Sequence, residues 1–275
     1  MVVSVIVNKI SVMIGGEAGA GITRSGFLFA KACLRGGLHV FGTNDYQSLI
    51  RGGHNFYIAR ADAEEIYSQA DTIDLLLALN KETILLHKDE LAQDGGIVYD
   101  GEEIALGDEE LSRDDLKLYS VPLRGIVKEL GGELIMRNTV ALGAAVALLD
   151  YDLEILNDIM RDEFKLKVAE VNVKAAKMGY DYAREHYAGD FEYRLERISS
   201  TGKRKMLLTG NEAVGLGAIR AGCKFYAAYP MTPTTPLLHF MASLDREYGM
   251  IVIQTEGEIA AINMVAGASF AGVRA

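Results

Sequence analysis

Tyr229-Pro230-Met231-Thr232-Pro233-Thr234-Thr235-Pro236 holds three of the four prolines in the chain. Cys223 to Ala228, before it, reads as a short buried strand, and Leu237 to Tyr248, after it, as a helix. Proline fixes its own φ and drives the preceding residue into extended backbone. Prolines flanking Met231-Thr232 therefore hold the Thr232 hydroxyl in one direction. The spacing puts that hydroxyl at the C-terminal end of a strand, where open parallel sheets bind ligands.

The strand–helix alternation extends on both sides of this segment. Met206 to Thr209 is expected as a strand. A helix opens at Gly210-Asn211-Glu212-Ala213 and ends near Ala221-Gly222. Met250 to Gln254 is a further strand, and Gly257 to Phe270 a last helix. A β-α-β-α-β-α series predicts a parallel sheet. Three strands leave the edge of such a sheet poorly covered, so either the chain continues or a partner completes the sheet. Upstream, the hydrophobic period fades. Residues 191–204, with Ser199-Ser200-Thr201-Gly202, read as a linker.

Residues 1–190 read as one α/β domain. Ile10 to Ile14 is a strand leading into Gly15-Gly16-Glu17-Ala18-Gly19-Ala20-Gly21, then a helix from Thr23 to Arg35. A Gly-rich turn between strand and helix presents backbone N–H groups to an anion. It is not a dinucleotide fingerprint, because Arg24 stands three positions after Gly21. It is not a Walker loop either, because Ile22 stands where Lys is required. An anion site and a structural turn with positive φ both remain open. Arg51 beside Gly52 and Gly53 has the same two readings, an oxyanion contact or a bend with a solvated Arg. His54, without a partner nearby in sequence, reads as structural. Further strands are expected at His54 to Arg60, Ile73 to Leu79, Gly95 to Tyr99 and Lys117 to Val121. Helices are expected at Lys81 to Lys88, Leu123 to Leu130, Arg137 to Leu149, Asp152 to Phe164 and Val171 to His186. The acidic run 101–115 reads as a solvated loop.

Composition narrows the chemistry. A net charge of −10 argues against a nucleic-acid groove. Cys33 and Cys223 are the two cysteines. An iron–sulfur cluster takes about four thiolates, so such a cluster belongs on another chain. No apolar run is long enough to span a bilayer and the N-terminus lacks a signal pattern, so a cytoplasmic protein is expected.

The Tyr229–Pro236 run resembles the Tyr-Pro-Ile-Thr-Pro-Ser/Thr signature of the 2-oxoacid:ferredoxin oxidoreductases, with Met231 in place of Ile. Gly210-Asn211-Glu212-Ala213 is similar to the start of the same α-subunit domain. Upstream, Gly16, Gly19 and Gly21 match a γ-subunit Gly-rich pattern, from which Ala18 and Ala20 depart. Tyr46 to Gly53 and Arg137-Asn138-x-x-Ala141-Leu142-Gly143 also resemble the γ subunit.

The resemblance implies a fused γ/α arrangement: a γ-type three-layer α/β domain (1–190), then the start of a thiamine-enzyme pyrimidine-binding (PYR) parallel-sheet domain (205–275). It implies an oxidoreductase that decarboxylates a 2-oxoacid, 2-oxoglutarate or pyruvate, with coenzyme A and ferredoxin. Thiamine diphosphate is shared with a β subunit, which carries Mg²⁺ and a [4Fe-4S] cluster, in a soluble hetero-oligomer. Glu256 would bond N1′ of the aminopyrimidine, with Glu258 the weaker candidate. Thr232 would bond the substrate, and Tyr229, Pro230, Pro233 and Thr234 would shape that site. Gly16, Gly19, Gly21, Arg51, Gly52 and Gly53 are candidates for coenzyme A or another anion, and no metal ligand is expected on this chain. Two rival readings are a non-catalytic binding and assembly module and a Rossmann-like dinucleotide-binding oxidoreductase.

Overall fold

The protein is described from a computed structural model covering residues 5–46, 53–199 and 205–275. It divides into two units, Met1–Lys205 and Met206–Ala275.

In chain order the first unit contains β1 (Ile6–Val7), β2 (Lys9–Glu17), α1 (Ile22–Arg35), β3 (His39–Asp45), β4 (His54–Asp62), β5 (Ile73–Ala78), α2 (Lys81–His87), β6 (Leu91–Tyr99), α3 (Asp108–Leu111), β7 (Lys117–Ser120), α4 (Leu123–Glu129), α5 (Arg137–Leu148), α6 (Leu153–Glu163), α7 (Leu166–Tyr187) and β8 (Tyr193–Arg194). One sheet runs in the order β3-β4-β2-β5-β6-β7. Its β2-β5-β6-β7 half is parallel. Its β3-β4-β2 half is antiparallel.

Successive side chains on a strand face opposite ways, and both faces of β2 are covered. Gly15 faces Thr83 of α2, and Gly16 faces Ile22 of α1. Met13 joins Leu76, Ile84, Ile97 and Leu111 in a core on the α2 and α3 side. Helices on both faces make three layers. This explains why Ile10–Ile14, interrupted only by Ser11, and Leu75–Leu79 read as apolar runs.

Helix α5 is buried from Asn138 through Leu148. Gly143 and Gly179 let it lie directly on α7. A Cβ at Gly143 would overlap the carbonyl of Ala176, and one at Gly179 the carbonyl of Val140.

Three local expectations change. Gly15 and Gly16 belong to β2, paired with Phe56 and Asn55 of β4, so the loop itself is only Ala18–Gly21. The strand His39–Asp45 had no counterpart in the sequence reading. The stretch read as linker is docked on the first unit from 191 to 199. Phe191 and Leu195 are buried, β8 pairs with β1, and the Ile198 amide donates to the Gly36 carbonyl at 2.8 Å.

The second unit contains α8 (Gly210–Arg220), β9 (Phe225–Ala228), α9 (Thr235–Tyr248), β10 (Ile251–Gln254) and α10 (Glu258–Phe270). β9 and β10 are parallel neighbours. The strand expected at Met206–Thr209 is not formed. Met206 is 73% exposed with no neighbouring strand, and Thr209 instead caps α8. Its hydroxyl accepts from the Glu212 amide at 3.2 Å, and the Thr209 amide donates to Glu212 Oε2 at 2.7 Å, a reciprocal capping box. Among the described residues, no helix is long and apolar enough to cross a membrane.

Candidate functional site

Two loops leave the C-terminal ends of β9 and β10 side by side. Ala228 is in register with Gln254, and the Thr255 amide donates to the Ala228 carbonyl at 3.0 Å. The loop after β9 is Tyr229–Thr234 and the loop after β10 is Thr255–Gly257.

Local chemistry shapes the first loop. The Thr232-Pro233 peptide is cis. The Met231 carbonyl accepts from the Thr234 amide at 2.7 Å, the Thr235 amide at 2.9 Å and Thr234 Oγ1 at 3.1 Å. Asn211 Nδ2, from the first turn of α8, donates to the Pro233 carbonyl at 3.0 Å. Pro236 occupies the first turn of α9, where its missing N–H costs nothing. Thr234, a candidate ligand contact, is thus committed to the turn. In the second loop, buried Thr255 donates its hydroxyl to the Gly257 carbonyl at 2.9 Å, holding the backbone that carries Glu256.

Thr232, Tyr229 and Glu256 are exposed. Among the described residues, neither the Thr232 hydroxyl nor the Glu256 carboxylate has a hydrogen-bond or ion-pair partner. The β9–β10 ladder thus brings together loops that are 20 residues or more apart in sequence, with an uncommitted hydroxyl on one and an uncommitted carboxylate on the other. Glu258 begins α10, the N-terminal position that favours a carboxylate for electrostatic reasons alone.

The first unit has a separate polar site. Gly19 and Gly21 have φ of 85° and 77°, the left-handed region that favours glycine. Gly21 caps α1 without a side-chain hydrogen bond, and no acidic residue stands in the first turn. The exposed N–H groups there suit an anion. Gly16 lies back in β2. Gly53 accepts the Ala18 amide at 3.1 Å and has φ of 79°. Arg51 and Gly52 lie outside the described residues.

The sequence reading missed Arg137 as a member of this group. With Gly19, Ala20, Ile135 and Glu17 it lines a cavity of about 400 Å³. Burial, helped by Arg124, draws its pKa down, against Glu103, Glu17 and Asp100. Among the described residues it makes no ion pair or hydrogen bond. Its only sequence signal was its place in the Arg137–Gly143 segment, which resembled the γ subunit without assigning the arginine a role. Glu17 in the same cavity works against an anion.

His54 also has a partner that the sequence did not reveal. It faces Glu17 across β2 and β4, and its Nε2 lies 2.7 Å from Nε2 of His87 on α2. His87 Nδ1 lies 3.0 Å from Glu90 Oε1. No cluster of metal-binding side chains is present among the described residues.

Comparison with known proteins gives the family. Residues 11–182 match the family "Pyruvate ferredoxin/flavodoxin oxidoreductase", and residues 216–275 match "Pyruvate flavodoxin/ferredoxin oxidoreductase, thiamine diP-bdg". A 2-oxoacid:ferredoxin oxidoreductase subunit alpha from Sulfolobus sp is 26% identical over 317 aligned positions, covering 97% of this chain and 49% of the relative. The 2-oxoglutarate synthase subunit KorA of Archaeoglobus fulgidus is 53% identical over 66 residues, 24% of this chain and 19% of its own. The structure of 2-oxoglutarate:ferredoxin oxidoreductase from Magnetococcus marinus, solved with 2-oxoglutarate, coenzyme A and succinyl-CoA bound, superposes with a TM-score of 0.85 at 32% identity. That match covers 97% of this chain and 46% of the other. The chain spans about half the length of the curated full-length relatives it matches. With a mostly parallel three-layer sheet in its first unit and both family matches in order, the chain belongs to the pyruvate ferredoxin/flavodoxin oxidoreductase family.

Proposed function

We propose that this chain is the γ/α part of a thiamine diphosphate-dependent 2-oxoacid:ferredoxin oxidoreductase. The enzyme converts a 2-oxoacid and coenzyme A to acyl-CoA and carbon dioxide and passes two electrons to ferredoxin. One observation carries this reading. Glu256 and Thr232, both without protein partners, stand on adjacent loops at the carboxyl ends of two parallel strands, the ligand-binding edge of such sheets.

The donor set fits the pyrimidine end of the cofactor. A carboxyl group with no internal partner is free to share a proton with a ring nitrogen. Bound thiamine diphosphate supplies the electron sink for decarboxylation. Glu256 holds or releases the proton at N1′, and the Thr255 hydroxyl fixes the backbone beside it. Thr232 donates its hydroxyl to an oxygen of the 2-oxoacid. Pro230 and Pro233 keep its direction fixed, Thr234 closes the turn, and Tyr229 walls the loop.

The diphosphate, its Mg²⁺ and the [4Fe-4S] cluster are assigned to a β subunit, as the family resemblance implies. The relatives named 2-oxoglutarate synthase favour 2-oxoglutarate over pyruvate as substrate. The Gly19–Gly21 turn and Arg137 are assigned to an anionic part of coenzyme A.

The test uses the complete reading frame assembled with its β subunit. Coenzyme A-dependent reduction of a low-potential dye is measured with 2-oxoglutarate and with pyruvate. Activity lowered at least a hundredfold in Glu256→Gln supports the assignment, since positioned proton transfer contributes about 10²–10⁴-fold. Full activity in that variant removes the role of Glu256. No oxidation of either acid by an intact, cofactor-loaded complex overturns the reading.

A further inference from the structure

The Thr232 loop is a turn closed at its base and held at its tip. At the base, the Met231 carbonyl gathers the Thr234 and Thr235 amides and Thr234 Oγ1. These bonds join near neighbours in sequence, so they fix the internal shape of the turn. They do not fix where the turn points. Thr232 and Pro233 lie between its two ends. Among the described residues, the side chain that reaches this turn from another element is Asn211, whose Nδ2 donates to the Pro233 carbonyl at 3.0 Å.

Asn211 is itself firmly placed. It is half-buried, in the first turn of α8. The Thr209–Glu212 capping box fixes that turn. Gly215, one turn further on, seats α8 against α9, because a Cβ there would fall 2.6 Å from the Phe240 ring. Packing this close leaves little slack between the two helices. The Pro233 carbonyl can only accept, so the amide nitrogen of Asn211 has to face it, which sets the orientation of the side chain.

We infer that Asn211 is a positioning residue for the 2-oxoacid: it holds the tip of the turn so that the Thr232 hydroxyl meets an oxygen of the substrate. This role rests on the proposed function, which takes Thr232 as the substrate contact. The neighbouring side chain cannot take it over. Glu212 is committed to the Thr209 amide at 2.7 Å, and a carboxylate has no donor for a carbonyl. At position 211 serine is too short to reach, and aspartate has the length without the donor.

The test uses the complete reading frame assembled with its β subunit and loaded with thiamine diphosphate. Asn211→Asp keeps the length of the side chain but turns an acceptor towards the Pro233 carbonyl. A carboxylate at the N-terminus of α8 favours that helix, so a loss in this variant comes from the loop and not from α8. Asn211→Ala removes the donor without adding charge. Both should raise KM for the 2-oxoacid about fivefold, the worth of one neutral hydrogen bond, with kcat held. In hydrogen exchange, the Thr234 and Thr235 amides should exchange about fivefold faster in both variants, and the amides of α8 at the wild-type rate. In a Thr232→Val background, Asn211→Ala should cost nothing further, because a residue that acts through another is not additive with it.

Full additivity, an unchanged KM, or faster exchange throughout α8 overturns the proposal. Exchange needs no turnover. Faster exchange of the loop in a loaded complex that oxidises neither acid refutes the proposed function alone. Unchanged exchange and KM with normal oxidation refute the role of Asn211 alone.

Discussion

His54 Nε2 lies 2.7 Å from His87 Nε2. With the Glu90 carboxylate 3.0 Å from His87 Nδ1, we assign the His87 Nδ1 proton to that contact, which makes His54 Nε2 the donor and His87 Nε2 the acceptor. His54 then keeps a bare Nδ1, and that atom is indeed buried without a partner.

A further proton on this pair is disfavoured. The pKa of His54 is held below 6.5, first by burial and then by His87, against the pull of Glu82, Asp45 and Glu90. An unfolded His titrates near 6.5, so the unfolded chain takes up protons first. The stability from the neutral pair is full above that value and is lost as pH falls from it through the folded pKa. Thermal melting from pH 7.5 to 5.5 should therefore show a steeper loss in the wild type than in His54→Gln. Parallel curves would refute the pair as the cause.

Gly143→Ala should destabilise the first unit. Alanine gains about 1 kcal/mol in helix propensity over glycine, but its methyl group would overlap the Ala176 carbonyl. Overpacking costs about 1–3 kcal/mol, more where the obstacle is backbone, so the clash wins. Urea denaturation should show a lower midpoint, and a higher midpoint would mean that α7 moves away at little cost.

Thr209→Ala removes the capping box of α8. The expected loss is about 1 kcal/mol, read as a lower melting temperature of the second unit. Thr209→Ser should recover most of it. A loss shared equally by Thr209→Ser would point to the methyl group instead of the hydroxyl.

The two cysteines should differ in reactivity. Cys33 is fully buried and its thiol pKa is pushed far up by desolvation, so thiolate is scarce. Cys223 is half-buried. A disulfide reagent should titrate one thiol per native chain quickly and two in denaturant. Two fast thiols in the native chain would show that α1 opens readily.

Thr232→Val in the assembled enzyme should raise KM for the 2-oxoacid about tenfold or more, the cost of one lost hydrogen bond to a charged group being about 1.5–3 kcal/mol. Unchanged KM and kcat would free Thr232 of its assigned role.

The sequence was readable where one residue type forces one shape. Three prolines in eight residues marked a stiff turn leading into a helix, and Ile73–Ala78, apolar except for Asp74, marked a strand buried on both faces. The helix expected at Arg137–Leu149 is present, and its small residues permit close packing, with Gly143 against the Ala176 carbonyl. His39–Asp45 escaped because His39, Gly42, Asn44 and Asp45 break the apolar alternation; its ladder with β4 holds it in place. The docked stretch 191–199 escaped because Phe191 and Leu195 are single anchors without a period. Arg137, Asn138 and the His54–His87 pair escaped because their meaning lies in partners far along the chain.

Asn138 reaches back 118 residues to hold the carbonyl of Ala20. As the chain leaves the ribosome, the Gly19–Gly21 turn emerges long before that clamp does. Until then the turn has its local bonds, from the Ala20 amide to the Glu17 carbonyl and from Ser25 to the Gly21 carbonyl, and closure of so long a loop is slow. The turn acquires its final shape only when α5 docks, so a nascent chain broken off before residue 138 has the glycines of the anion site without the residue that fixes them.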